Sequence, residues 1–322
     1  MKTVKVGVVG VGYLGAYHVE KYASMPHAEL VGVADIDLAR AREIAARFGV
    51  TATDDHRKLI GKVDAVSIAV STSQHYTVAR DFLENGVDVL IEKPITTSLD
   101  EAEALIELAR SNDRILQVGH LERFNPTTVA LQEIVTRPLF IESHRLSIFK
   151  PRCTDVSVIL DLMIHDIDLI LSFVRSGIRE IRASGVAVIS EHVDIANARL
   201  EFESGCVANV TASRISMKNE RKLRIFQQDA YVSVDFANRR MLCIRKNGGK
   251  PDSLIPDADI QTIDFAAADP LNEELIAFVE AVRTRQAPPV TGEMGRDALK
   301  AALDILETIQ SFNRRHAEVL LA

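Results

Sequence analysis

Cysteine is scarce in this chain of 322 residues, and its three copies support no framework. Cys153, Cys206 and Cys243 are odd in number, far apart and without a C-x-x-C pair, which argues against a disulfide-stapled fold and against a thiolate metal site. A reducing, cytoplasmic setting is the expectation. An excess of basic charge is also missing: 38 Lys and Arg stand against 45 Asp and Glu, a net charge of -7. That balance excludes a nucleic-acid surface over the whole molecule. No stretch of about 18 uncharged apolar residues occurs, so no membrane span is expected. The opening "MKTVKVGVVGVGYLG" runs into glycines with no small-residue cleavage site, so no signal peptide is expected either. Repeats and low-complexity tracts are absent. What is present is 47% hydrophobic content over a length that accommodates two domains with buried cores. The expected partner is a small molecule.

Over the first 120 residues, short Val- and Ile-rich runs at 4–9, 30–35, 63–70, 87–91 and 115–119 alternate with helical periods at 13–24, 38–48, 74–85 and 98–111. Such alternation predicts a parallel sheet wrapped by helices. The first turn reads Gly10-Val11-Gly12-Tyr13-Leu14-Gly15, between a strand and a helix. Gly10 permits the tight turn, Gly12 lets backbone N–H groups approach a pyrophosphate, and Gly15 lets helix and strand pack closely. Asp35 closes the second strand, 20 residues after Gly15, where its carboxylate can accept a hydrogen bond from a ribose hydroxyl. A 2′-phosphate would be repelled there, and Asp37 adds a second acid, so the cofactor expected is NAD, despite nearby Arg40.

In open α/β sheets ligands sit beyond the carboxyl ends of the strands. After 63–70 comes "STSQHY" with Thr72 and His75, and after 87–91 comes Glu92-Lys93-Pro94. Further on, the apolar segment "VILDLMIHDIDLILSFV" (158–174) carries Asp161, His165 and Asp168 on one edge of a predicted helix, with Asp166 pointing away. A satisfied core network is the ordinary explanation of such an edge. A pair of ligands for a divalent metal is another, but D-x-x-x-H has no evident third and fourth ligand here. From 139 onward strand-like alternation dominates, at 139–149, 179–190, 193–203, 206–214, 222–227, 230–236 and 240–246. The gaps "ESG" and "QDA" suit antiparallel hairpins. Helices are expected at 271–285 and 293–315.

The N-terminal "VGVVGVGYLG", Asp35, "SIAVSTSQHY", "EKP" and "DLMIHDIDL" together resemble the glucose-fructose oxidoreductase and inositol dehydrogenase family (Gfo/Idh/MocA) over nearly the whole chain. Many relatives have Thr-Pro where this chain has Val70-Ser71. The resemblance implies an α/β Rossmann dinucleotide-binding domain (1–122) and an α+β domain (123–322) with an open, mostly antiparallel sheet that binds substrate and carries oligomerisation. It allows the last helix to pack back on the first domain. It implies an active site between the two, Lys93, Asp161 and His165 at catalytic positions, a cis Lys93-Pro94 peptide, and a homodimer or homotetramer. The expected cofactor contacts are Gly10, Gly12, Tyr13, Leu14, Gly15, Asp35, Thr72, His75, Glu92 and Lys93.

Oxidising a secondary alcohol needs a base within reach of the hydroxyl, and His165 has the suitable ordinary pKa, with Asp161 to orient it and Lys93 to polarise the oxygen. Sequence leaves the roles of Lys93 and His165 interchangeable. Asp168 is assigned a structural place. "VGHLERFNP" (118–126) and 138–169 resemble one branch of the family, the UDP-N-acetylglucosamine 3-dehydrogenases, with Cys153 where glycine is expected. That branch implies oxidation of the sugar 3-hydroxyl and a partner transaminase, on the way to amide-linked lipid A. Arg123, Arg145, Lys150 and Arg152 offer charge for a diphosphate, as does "RISMKNERKLR" (214–224), which equally suits a solvated hairpin face. The substrate contacts expected are Arg123, Asn125, Arg152 and His165. An inositol or free-sugar dehydrogenase is the alternative, and a non-catalytic NAD-binding sensor the alternative of another class.

Overall fold

The computed structural model describes residues 3–149, 156–246 and 258–315. The chain divides into two compact units, Met1–Phe124 with Asp269–Leu299, and Asn125–Ala268 with Lys300–Ala322. Residues 269–299 therefore belong with the first unit, where the sequence reading had placed them in the second domain. The reason is apolar packing: Leu275, Phe278 and Val282 join Val6, Val8, Val19 and Leu90 in one buried cluster.

The first unit holds a six-stranded parallel sheet in the order β3-β2-β1-β4-β5-β6. Its strands are β1 (Val4–Val9), β2 (Ala28–Ala34), β3 (Thr51–Thr53), β4 (Ala65–Ile68), β5 (Asp88–Glu92) and β6 (Leu116–Gly119). Helices α1 (Tyr13–Ser24), α2 (Leu38–Phe48), α3 (Thr72–Glu84) and α4 (Leu99–Ser111) connect them. β1, β4 and β5 are buried on both faces almost throughout, as their unbroken apolar runs require. The strand order places a switch point between β1 and β4, where a crevice opens at the carboxyl ends. β3 was not expected; three residues of Thr-Ala-Thr carry too little pattern to read.

The second unit holds an eight-stranded sheet in the order β14-β13-β12-β11-β7-β10-β9-β8. These are β7 (Pro138–Leu146), β8 (Ile178–Val186), β9 (Ile195–Phe202), β10 (Val207–Ser213), β11 (Glu220–Gln227), β12 (Ala230–Asp235), β13 (Arg240–Lys246) and β14 (Ala258–Asp264). Only β7 and β10 pair in parallel; every other pairing is antiparallel, including both expected hairpins. A short helix, α5 (Pro126–Ile134), precedes the sheet, capped by Asn125 with proline at its first position. On β7, Ile141, Ser143 and Arg145 point into the core, while Phe140 points out and meets Phe226 at 5.6 Å; Phe226 in turn meets Tyr231 at 4.8 Å. Helix α6 (Ile164–Val174) buries Ile167, Leu169 and Ile170. Helices α7 (Pro270–Thr284) and α8 (Gly292–Arg315) close the chain. The residues of α8 up to Leu299 group with the first unit and the rest with the second.

Candidate active site

In the first unit the glycine turn is built as its sequence demands. Gly10 has φ of +81°, and a Cβ there would stand 2.6 Å from the Ala69 carbonyl oxygen. A Cβ on Gly15 would overlap the Gly10 carbonyl oxygen, whereas one on Gly12 would meet nothing nearer than an Arg40 nitrogen at 4.0 Å. Gly12 is the N-cap of α1 and supplies no side-chain cap, so the first N–H groups of that helix face the opening. Tyr13 and Leu14 follow on the surface, Tyr13 with its ring edge on Tyr17 at 5.3 Å.

Asp35 locks this turn. Its carboxylate accepts from the Val11 N–H at 2.8 Å and from the Asp37 N–H at 3.0 Å. A carboxylate has about four acceptor sites, so capacity remains for a ribose hydroxyl. A cleft of about 920 Å³ runs past these residues, lined by Gly10, Gly12, Asp35, Arg40, Ser71 and Gln74 among others. Its far wall, His56 to Lys58, was not foreseen. The cations there already have partners: Arg57 is bound by Asp55 through two hydrogen bonds of 3.0 and 2.9 Å, Lys58 by Asp54 at 2.6 Å, and Arg40 lies 3.8 Å from Asp37. The Arg57 guanidinium holds the Asp55 carboxyl down to about 2. Each of these cations has an acidic partner beside it, and with Asp35 and Asp37 at the ribose end the lining fits NAD.

The two strand-end motifs are tied together. His75 is buried, with Nδ1 2.9 Å from the Pro94 carbonyl oxygen and Nε2 3.2 Å from that of Val70. Burial pushes its pKa down, and the Pro94 and Val70 carbonyls partly offset this. His75 is thus a latch between β4 and β5 ends and does not line the cleft. Thr72 opens α3, whose N-cap Ser71 makes no side-chain cap. Glu92 is buried and bonded to His18 Nε2 at 3.1 Å, and Lys93, half-buried, precedes a cis peptide to Pro94. Arg123 is half-buried in a 3-10 turn, Leu121–Phe124.

In the second unit the helix bearing His165 differs from the regular one expected. Residues Ile159–Met163 form a π-helical turn, in which Ile164 N–H bonds the Ile159 carbonyl, before α6 begins. A wider turn changes the angle between Asp161 and His165, so counting at 100° per residue does not apply. Both are half-buried, and Asp168 is buried. The entry to this turn is held by Arg214, which donates to the Val156 carbonyl, and by Val158 N–H on Val193 at 2.8 Å.

Arg145 and the 214–224 cations correct the electrostatic expectation. Arg145 is buried and donates to Asp166, Nε to Oδ2 at 2.6 Å, with Ser143 Oγ also donating to Asp166 at 2.9 Å. It is committed to the core by that pair. Lys218 and Lys222 flank Glu220, and Arg224 reaches Glu142 at 3.2 Å. Asn125, besides capping α5, accepts from Thr127 Oγ1 at 2.7 Å. Lys150, Arg152 and Cys153 lie outside the described residues. Among the described residues no three His, Cys, Asp or Glu side chains converge as metal ligands, and no helix is long and apolar enough to cross a membrane.

A glycine turn, a locking aspartate and the cleft beside them define a dinucleotide-binding protein. Residues 4–120 match the oxidoreductase family with an NAD-binding Rossmann fold, and 144–233 match the Gfo/Idh/MocA C-terminal domain. The chain belongs to the Gfo/Idh/MocA family; it is an NAD-dependent dehydrogenase. It is similar to a UDP-N-acetylglucosamine 3-dehydrogenase of Acidithiobacillus ferrooxidans, 38% identical over 97% of this chain and 99% of that one, whose solved structure superposes with a TM-score of 0.92. A scyllo-inositol 2-dehydrogenase (NAD(+)) of Bacillus subtilis is 27% identical over 89% of each chain. The Lactobacillus casei scyllo-inositol dehydrogenase, solved with NAD(H) and scyllo-inositol, shares the fold at 21% identity, covers 96% of this chain and 98% of its own, and has a TM-score of 0.79.

Proposed function

We propose that this enzyme oxidises the 3-hydroxyl of UDP-N-acetylglucosamine to the 3-keto sugar. The observation that supports the reading most is the 38% identity with the Acidithiobacillus enzyme across 97% of the chain, through both units and not only the dinucleotide fold. The overall change takes a hydride and a proton from R₂CHOH and leaves R₂C=O. Bound NAD supplies the hydride acceptor. The chain's own residues manage the proton and the developing charge. His165 takes the hydroxyl proton, Asp161 orients the imidazole, and Lys93 as an ammonium stabilises the oxygen as charge builds on it. Lys93 as base with His165 as the polarising group uses the same residues. Glycine-turn N–H groups and Asp35 hold the cofactor, together with Tyr13, Leu14, Thr72 and Lys93, while Glu92, turned onto His18, supports Lys93 from behind. Arg123 and Arg152 face the diphosphate in this reading, and Asn125 contacts substrate.

A cytoplasmic homo-oligomer that hands its ketone to a transaminase, for an amino sugar of the lipid A kind, completes the reading. The outward Phe140, Phe226 and Tyr231 supply apolar surface for a second copy. The test is absorbance in the NADH band with purified protein, NAD and either UDP-N-acetylglucosamine or a panel of inositols and free sugars, with a transaminase and glutamate to draw off the ketone. Signal with the nucleotide sugar alone supports the reading. Signal with a free polyol alone keeps the enzyme class and discards the substrate.

A further inference from the structure

One face of the first unit's sheet, the face covered by α1 and α7, carries a layer of buried polar groups that the reaction does not use. Ser67, Leu90 and Gln117 are register partners across β4, β5 and β6, and Glu92 pairs with Gly119 one step along. Side chains two apart on a strand share a face, so Ser67, Glu92, Gln117 and Gly119 all look the same way. The absent side chain of Gly119 leaves the room: a Cβ there would stand 3.0 Å from the Glu92 carboxyl group. From α1, His18 reaches Glu92 and, one turn on, Tyr22 reaches Ser67 at 2.7 Å. From α7 comes Glu274, fully buried, its backbone carbonyl accepting from Gln117 Nε2 at 3.2 Å.

Among the described residues, Gln117 Oε1 and His18 Nδ1 of this layer each lack a partner, but Glu274 is the acid whose whole carboxyl group does. Neither of its carboxyl oxygens has a hydrogen-bond partner among the described residues, and no cation pairs with it. Two carboxylates in one dry layer repel, and burial opposes each charge separately. Glu92 has a partner in His18; Glu274 has none. We propose that Glu274 is a positioning residue that keeps its proton in the folded enzyme, and so places no second charge against the Glu92–Lys93 strand end held on His18. Burial first, and the Glu92 charge second, push the Glu274 carboxyl well above the usual range. Tyr22 lies in the same layer, its phenol raised by burial and partly lowered by the Ser67 hydrogen bond.

The other titratable groups on elements packed against α7 are Tyr13, Tyr17, His18, Glu20, Lys21 and Tyr22 on α1, Lys5 on β1, and Glu122 and Arg123 in the 3-10 turn; Glu92 on β5 shares the layer, His120 precedes the turn, and Lys21 pairs with Asp269 at the helix start. All of them remain in a Glu274→Gln variant, which copies the protonated acid and removes its titration alone. A carboxyl raised on folding gives stability that is complete below its unfolded value and is lost as pH rises toward the folded one.

The experiment is thermal unfolding and NADH affinity from pH 5 to 9 for the parent protein, E274Q and E274L. NADH emission reports binding cleanly because the chain has no tryptophan. At neutral pH, E274Q and E274L, neither of which brings a charge into the layer or breaks a side-chain hydrogen bond, should both bind NADH within about twofold of the parent. From about pH 5 upward the parent should lose up to about tenfold in its folded-to-unfolded ratio per pH unit relative to E274Q until the folded-state value is reached, and its NADH affinity should fall only as pH passes that value. Parallel pH curves for the two would overturn the proposal, as would a tenfold or greater loss of NADH binding by E274Q at neutral pH. Infrared difference spectra of the parent with labelled glutamate give a reading that needs no variant to fold. A protonated carboxyl band at neutral pH is expected, and its absence also overturns the assignment. None of these measurements uses the sugar substrate, so they stand or fall separately from the proposed reaction.

Discussion

Replacing Asp166 by alanine should cost the second unit about 3–5 kcal/mol, because it removes the carboxylate to which a buried guanidinium is bonded. Asp166 and Arg145 have side chains only 3% and 5% exposed. The carboxylate accepts Arg145 Nε at 2.6 Å, Nη2 at 3.3 Å and Ser143 Oγ at 2.9 Å. All three bonds end on the carboxylate and are charge-assisted, and breaking a buried pair of this kind by removing one partner costs about 3–5 kcal/mol. Urea unfolding followed by far-ultraviolet circular dichroism reads the loss as a lower midpoint at unchanged slope. The double variant R145M/D166L removes both charges and should recover most of the stability, since replacing a buried pair by apolar groups is commonly neutral or favourable. If D166A lies within about 1 kcal/mol of the parent, or the double variant is no better than the single, the Arg145–Asp166 pair does not hold this part of the core and the assignment fails.

Asp194 gives an acid-range prediction. Burial pushes its carboxyl up, but the N–H groups of Ile189, Ser190 and Val188 and the Ser190 hydroxyl pull harder, down to about 2. Its contribution is therefore complete above the ordinary carboxylate value and lost as pH falls through about 2, so D194N should cost roughly 2 kcal/mol at neutral pH with the gap closing toward pH 2. A gap independent of pH would show that the charge is irrelevant. Gly15→Ala places a Cβ on the Gly10 carbonyl oxygen and should weaken NADH binding at least about tenfold; normal titration by NADH emission would refute the turn geometry. Lys93→Ala and His165→Ala should each lower turnover by about 10² to 10⁴, with NADH still bound by the histidine variant. Turnover within about threefold of the parent in either one removes that residue from the mechanism.

The parts of the molecule legible from sequence are those whose pattern is local. β1 at Val4–Val9 and α1 at Tyr13–Ser24 fall where the apolar run and the helical period place them, and the glycine turn between them needs no distant contact to be recognised. β14 was missed because its burial leaves one residue inside and six exposed, so its sequence has no alternation to read. α5 was missed although Asn125-Pro126 is an N-cap followed by proline at the first helical position; the signal was there. The π-helical turn at Ile159–Met163 was out of reach, since reading a face by periodicity presupposes the period. Glu274 looks like a surface acid in "NEELIAFVEAV", and only the packing of α7 on a sheet assembled from residues 4 to 119 makes it a core group.

The two residues proposed for proton chemistry share a construction that the sequence reading passed over. Each has a buried acid as its immediate chain neighbour: Glu92 before Lys93 and Asp166 after His165. Consecutive residues on a strand point to opposite faces, and on a helix they diverge by about 100°. The neighbour of an outward chemical group is therefore carried inward by geometry alone. A valine or leucine there would add apolar burial; instead each site spends an acid bound by a buried base, His18 on one and Arg145 on the other. A directional pair fixes rotation about the chain in a way that apolar contact, which has no preferred angle, does not. The expected consequence is that Glu92→Gln and Asp166→Asn, which keep volume and lose charge, lower turnover through Lys93 and His165 more than they lower NADH affinity. If both variants instead retain parental turnover at temperatures where they are folded, the buried acids are structural alone, and the orientation of Lys93 and His165 must come from elsewhere in their elements.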